Sequence, residues 1–395
     1  MPENAKCTRQ SRDRLTNSIL ILTAVAIIYA IVIATSIRRY GDNLTGLIHV
    51  GQNAAWEPPA QLGHHIVVFR NSVGYDGEAY YIVADDPFLQ RHEFRDAFRY
   101  QRIGYPFVIW AASFGRREWR PTVMVGVNVV AVLIVAYVSI LLTSAIGTNI
   151  SDWWALACAV NPSLLLAVRL DLAEPLTMAL SLSGLLFYLK RRIGWATLVL
   201  GAAILTREVA FLFVLPLFVA EICLHRFRHA FVLALTAIPY LLWQSVLWQI
   251  CGHVGVEGSK GNFDTPLTGI RIITTSAWHT PWRVVLGQQA ATLCIATLVG
   301  VAFVVFAMDL RKRPDILVGI GLVHAGAALL AGPAIWVGYE GAARVFGGLY
   351  PTIIFAFTRR HTPARATLVF GTMLMIALTI GGGLASPSRP YYLTP

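Results

Sequence analysis

Charge is scarce in this chain. Of its 395 residues only 13% are Asp, Glu, Lys or Arg, whereas 56% are hydrophobic, and mean hydropathy is +0.60. A soluble domain of this size would carry roughly a quarter charged residues, so the composition excludes a water-soluble globular protein. Cysteine is sparse too. Cys7, Cys158, Cys223, Cys251 and Cys294 stand far apart and form no C-x-x-C or other ligand spacing, which excludes a disulfide framework and a zinc site. Among the histidines expected outside, none has the H-x-x-x-H spacing of a helical metal site. His64, His65, His253 and His279 read as loop residues, and His324 as a helix residue able to bond a neighbour. Internal repeats and low-complexity tracts are also missing, so nothing separates off a soluble domain.

Apolar runs are what the sequence has in abundance. They extend for about 15 to 27 residues, enough to span or nearly span a bilayer. The predicted fold is therefore an all-α polytopic membrane protein, one membrane domain over 1–395 with about eleven crossings, within a range of roughly nine to thirteen. The expected crossings are 18–37, 121–147, 153–169, 173–189, 194–206, 209–224, 231–250, 284–308, 316–332, 349–358 and 366–382. Formal net charge is +11, but the basic residues sit in short clusters between apolar runs. That is the positive-inside pattern, implying contact with anionic membrane lipid and no nucleic-acid partner.

Lys6, Arg9, Arg12 and Arg14 place the N-terminus in the cytoplasm, and the first apolar run is longer than a signal-peptide core, which favours a retained helix. The same rule puts Lys190–Arg192, Arg226, Arg228, Arg311–Arg313, Arg359 and Arg360 inside. Three segments then face the exterior: 38–120, 251–283 and 333–348. In the first, 103–114 is apolar but too short to span, and reads as a helix lying along the membrane surface.

The polar residues that are not anchors gather on this exterior face. They are Tyr75, Asp76, Glu78, Tyr80 and Tyr81 in the first loop, with Gln101 and Arg102 before the surface helix. Asp171, Glu174, Arg207 and Glu208 lie in turns between crossings, and Tyr339, Glu340 and Arg344 in the third exterior segment. Carboxylates can take protons, and guanidiniums match phosphate oxygens. Each also has a structural reading. Asp76 can cap a helix, with Glu78 favourable to its dipole. Asp171 and Glu174 can cap the following helix. Arg207 and Glu208 can pair across their turn, and Glu340 and Arg344 can pair at i,i+4. Asp85-Asp86-Pro87 reads as a helix end and turn, with metal contact the other reading.

Two stretches carry a resemblance: Gly74-Tyr75-Asp76-Gly77-Glu78-Ala79-Tyr80-Tyr81 and Tyr100-Gln101-Arg102-Ile103-Gly104-Tyr105-Pro106. Together with the Leu205-Thr206-Arg207-Glu208 turn and the long loop after the first crossing, they resemble the GT-C superfamily of integral-membrane glycosyltransferases, which use polyprenyl-phosphate sugars. The likeness of layout runs over nearly the whole chain; the motifs cover only these short stretches. The chain departs from oligosaccharyltransferases in having no large C-terminal exterior domain.

The resemblance implies transfer of a single sugar from a polyprenyl-phosphate donor to an acceptor hydroxyl on a lipid, glycan or protein, with inversion, at the exterior face of a cell membrane. It implies Asp76 as general base, with Glu78 the second candidate. Two helical residues lie about 200° apart around the axis, so the two carboxylates do not aim at one atom. Arg102, Arg207 and Arg344 are the expected phosphate ligands, and Tyr75, Tyr80, Tyr81, Gln101, Asp171, Glu174, Glu208 and Glu340 the remaining substrate contacts. No cofactor and no metal ligand set is implied, and the sequence leaves divalent-ion dependence open. The rival readings are a transporter or flippase of lipid-linked sugar, and a polymerase or ligase of lipid-linked glycan. Transporters favour repeated halves and charges near mid-membrane, whereas this chain concentrates its polar groups outside.

Overall fold

A computed structural model of the chain describes residues 2–53, 66–90, 96–146, 151–259, 261–279, 289–336, 338–385 and 392–393. His64 and His65 lie outside them. The described residues are mainly helical, joined by turns and loops, with three two-residue strands. Strand β1 (Val50–Gly51) runs parallel to β2 (Val68–Phe69), which pairs antiparallel with β3 (Tyr392–Leu393).

Helix α1 (Pro2–Ile37) leads into the long first loop. There the chain forms α2 (Asp76–Asp85), α3 (Ala97–Tyr100) and α4 (Gly104–Ala112). Next come α5 (Arg120–Ala145), α6 (Trp154–Ala159), α7 (Pro162–Arg169), α8 (Glu174–Leu189), α9 (Ile193–Thr206), α10 (Phe211–Cys223), α11 (Phe227–Ala234) and α12 (Ile238–Cys251). The final third holds α13 (Thr268–His279), α14 (Ala290–Lys312), α15 (Ile316–Leu329), α16 (Pro333–Trp336), α17 (Tyr339–Val345), α18 (Leu349–Arg359) and α19 (Pro363–Ala385).

Among the described residues five helical stretches are long and apolar enough to cross a membrane: 14–40, 117–145, 227–251, 290–312 and 363–381. Three shorter apolar helices, α8, α9 and α15, accompany them. Their outward faces carry exposed Ile27, Leu198, Leu241 and Phe370, as helices bathed in lipid do.

One expected crossing, 153–169, is broken in two. The apolar content is continuous there, but the backbone leaves the helix at Val160 and restarts after Asn161, whose side chain accepts the Leu164 N–H at 3.1 Å. Pro162 at the first turn cannot donate to a helix continuing from α6. Asn161 and Pro162 are both buried in protein, where irregular backbone is tolerated at membrane depth.

Two apolar cores fill the helical body. One joins α1, α5, α8, α9 and α10 through residues such as Tyr29, Val132, Leu182, Leu200 and Leu217. The other joins α14, α15, α18 and α19 through Phe306, Val318, Ile353 and Leu368. A third, separate core lies under the first loop. Ile48, Val50, Tyr80, Val83, Tyr100 and Tyr105 pack there against Met124 of α5, Leu172 and Leu247 of α12. The described part of the loop is thus a packed layer seated on the helix ends.

Candidate functional site

The loop layer brings distant acids and arginines to one place. Asp76 is the first residue of α2. The N-cap position belongs to Tyr75, and no side chain caps the helix. The Asp76 carboxylate is given to arginines instead of to backbone amides. Arg99 of α3 donates to Oδ1 at 2.6 Å, and Arg344 of α17 reaches Oδ2 through both terminal nitrogens at 3.0 Å. Arg102 stands 4.0 Å from Oδ2. The capping reading of Asp76 is therefore replaced by an ion-pair centre.

Two more carboxylates extend the cluster. Glu174, the first residue of α8, pairs with Arg207 and accepts from Arg344 at 2.8 Å. Glu208 takes a two-pronged bond from Arg102, at 2.6 and 2.9 Å. So Arg207 and Glu208, adjacent in their turn, reach different partners, because backbone direction changes between α9 and a following 3-10 turn. Likewise Arg344 turns from Glu340, its i,i+4 neighbour, to the stronger paired field of Asp76 and Glu174. Among the described residues, four guanidiniums here face three carboxylates.

The electrostatics follow from this crowding. Burial favours the neutral carboxyl of Asp76, but Arg344, Arg102, Arg99 and Arg207 override it and hold the group well below the usual carboxylate range. Burial also opposes ionisation of Glu208, and the Arg102 fork brings its pKa down to about 2. Tyr80 is 2% exposed, and its hydroxyl has no partner among the described residues. Burial raises its pKa, with Arg102, Asp76, Arg207 and Glu174 all acting on it, which locates the phenol inside the cluster. Glu174 Oε2, Arg207 Nε and Arg344 Nε are likewise unpartnered among the described residues. Tyr75 stacks its ring 5.1 Å from the Arg344 guanidinium, and burial lifts its hydroxyl to about 12.

Other predicted residues sit elsewhere. Glu78 is fully buried and accepts the Gly51 N–H at 3.1 Å, tying α2 to β1. Tyr81 points toward Asp85, Arg117 and Arg120, where Asp85 bonds both arginines and fastens α2 to the start of α5. Asp85 is thus an ion-pair partner in this arrangement. Asp171, in left-handed backbone at φ 47°, bonds Asn128 of α5 at 3.3 Å. Burial raises its carboxyl pKa well above the ordinary range, and it lies beside, not within, the arginine cluster. Neither Asp171 nor Glu174 caps α8, whose cap position is Ala173. Gln101 accepts from Tyr240 of α12 at 3.1 Å and supports the α3–α4 corner. Glu340 is half-buried near Tyr75.

No family model matches the chain, and no curated protein matches it. The functional argument therefore stands on the residues themselves.

Sequence reasoning missed Arg99. Its signal was present: Arg99 and Arg102 lie three residues apart, and both guanidiniums flank the Phe98 ring at 5.2 and 5.3 Å. It also missed Asn128, a buried amide within an apolar helix that bonds Tyr105 and Asp171. A polar residue inside a membrane helix is itself a pointer.

Proposed function

We propose that the protein is a GT-C-like glycosyltransferase, moving one sugar from a polyprenyl-phosphate donor to an acceptor hydroxyl at the exterior membrane face. The proposal includes about eleven crossings of a cell membrane and a cytoplasmic N-terminus, as the spacing of apolar runs and basic clusters predicts. The observation that carries it is the convergence of Asp76 with Arg99, Arg102, Arg207 and Arg344 beneath the first loop.

The chemistry asks two things of such a cluster. Charge grows on the departing phosphate, and guanidiniums already in place stabilise it without reorganising solvent. The guanidiniums gathered here match the oxygens of a singly charged phosphodiester. The acceptor oxygen forms its bond to the anomeric carbon as the bond to the phosphate oxygen breaks, and its proton passes to Asp76. A carboxylate held ionised by arginines is a weak base. When donor phosphate engages Arg344 and Arg102, their hold on Asp76 loosens and its basicity rises. Base and phosphate cradle are thus coupled, and Tyr80 supplies a hydroxyl donor for the same pocket.

Radiolabelled polyprenyl-phosphate sugars presented to proteoliposomes test the reading, with wild type compared against Asp76→Asn and with folding checked by gel filtration. Transfer from one donor that disappears in the folded variant supports it. Movement of lipid-linked sugar between leaflets without transfer would favour the flippase instead.

A further inference from the structure

Asn128 is out of place in its helix. From Val123 to Ala136 the rest of α5 is apolar or glycine, and the Asn128 side chain is fully buried there. An amide in such surroundings costs free energy unless it is bonded, so a lone one inside an apolar helix marks a task. Its nitrogen carries two hydrogens. One goes to the Tyr105 hydroxyl oxygen at 2.9 Å and the other to Asp171 Oδ1 at 3.3 Å. The amide thus ties α5 to the first turn of α4 and to the turn between α7 and α8. Neither bond is to a member of the Asp76 cluster.

Tyr105 carries the constraint onward. It is fully buried, and its ring stands edge-on to Tyr80, with centroids 5.3 Å apart and planes at 81°, an arrangement that ring quadrupoles favour. Tyr80 lies four residues beyond Asp76 in α2, on the same helix face, with its phenol inside the arginine cluster. The Tyr80 hydroxyl has no hydrogen-bond partner of its own among the described residues. Its ring is therefore held by what packs against it, and Tyr105 is the aromatic neighbour in edge contact. The far end of the Tyr105 ring is in turn pinned by Asn128. Asp171 completes the chain of contacts, because its oxygen keeps the amide nitrogen turned toward Tyr105.

We propose that Asn128 is a positioning residue: through Tyr105 it holds the Tyr80 phenol where its hydroxyl donates to a phosphate oxygen of the sugar donor. The catalytic half of this proposal rests on the transferase reading. The mechanical half, that Asn128 orients Tyr80, does not. A side chain in the body of a membrane helix then governs a contact in the loop layer that it never touches.

Two measurements separate the halves. A fluorinated tyrosine is placed at position 80 of the full-length protein in detergent, and its fluorine NMR signal reports the surroundings of the ring. The otherwise unaltered protein should give one narrow line, and Asn128→Leu and Tyr105→Phe should each shift or broaden it. Tyr105→Phe removes a single oxygen, which keeps the test usable if Asn128→Leu does not fold. An unmoved line in either folded variant would overturn the proposal, whatever the transfer assay gives. In proteoliposomes supplied with polyprenyl-phosphate sugar, Tyr80→Phe and Asn128→Leu should each lower kcat about tenfold, the scale of one hydrogen bond to a charged group. The double variant should also fall only about tenfold, because both changes remove the same contact. A fall of about a hundredfold, the product of independent effects, or an unchanged kcat in folded Asn128→Leu, would refute the catalytic half. Absence of transfer by wild type would remove the transferase reading and that half with it, while the fluorine signal still decides whether Asn128 orients Tyr80.

Discussion

Asp76 is kept ionised by arginines rather than by water, and this sets how its variants behave. Asp76→Asn keeps the shape but removes the proton acceptor of the proposed transfer, which should then fall by about 10²–10⁴-fold in the proteoliposome assay. Linkage gives a second expectation. Because the folded-state pKa lies below the ordinary 3.8, the stabilisation from Asp76 is fully present above that value and is lost as pH falls below it. Melting temperatures recorded from pH 7 down to pH 3 should show wild type losing stability below about pH 4 more steeply than Asp76→Asn. Arg344 has a different signature, since it bridges Asp76 and Glu174. Arg344→Ala leaves two carboxylates facing each other with a shared cation gone, and denaturant unfolding should show a loss of about 3 kcal/mol. The members of this cluster could be picked out by residue type, because acids and arginines are scarce between apolar runs. The pairings could not: i,i+4 spacing pointed Arg344 at Glu340, whereas the third dimension offers it two acids at once.

At the scale of elements, the site depends on two close fits. Gly104 opens α4 against Thr206, and a Cβ there would meet the Thr206 backbone N at 2.7 Å and Cα at 2.8 Å. Backbone cannot yield cheaply, so Gly104→Ala should push α4 away from the Arg207 turn and cost about 1–3 kcal/mol, measurable by denaturant unfolding. The second fit is the start of α7. Asn161 caps the helix and donates to the Cys158 carbonyl at 2.8 Å, so Asn161→Ala should lower stability by about 1–2 kcal/mol. Hydropathy conceals this break, since Trp153 to Arg169 is apolar on both sides of it. The Asn-Pro pair was the visible mark, a cap followed by a first-turn proline. Helix α4 was legible by contrast, because an apolar stretch too short to span still forms a helix when one face can pack. Tyr105 and Ile109 are buried, and Phe107 and Val108 are exposed.

For the whole molecule, the helical membrane class followed from charge scarcity and run length, and several expected segments coincide with helices, including α5, α8, α9, α15 and α18. Their number as crossings did not follow, because helices such as α8 and α15 are shorter than a bilayer is thick. Orientation is testable directly. In a background with all five native cysteines replaced, Asn71→Cys should react with a membrane-impermeant maleimide in intact cells, and Arg228→Cys only after permeabilisation. The reverse pattern would invert the topology. The Asp76–Arg344 pair has one more consequence, and it concerns time. The partners are 268 residues apart in the chain, an interval that synthesis at about 5–20 residues per second crosses in roughly 10–50 s. Through that interval Arg99, only 23 residues from Asp76, is already on hand as a provisional counter-ion. The nascent protein can therefore hold Asp76 against Arg99 while the centre is still waiting for its last arginine to emerge.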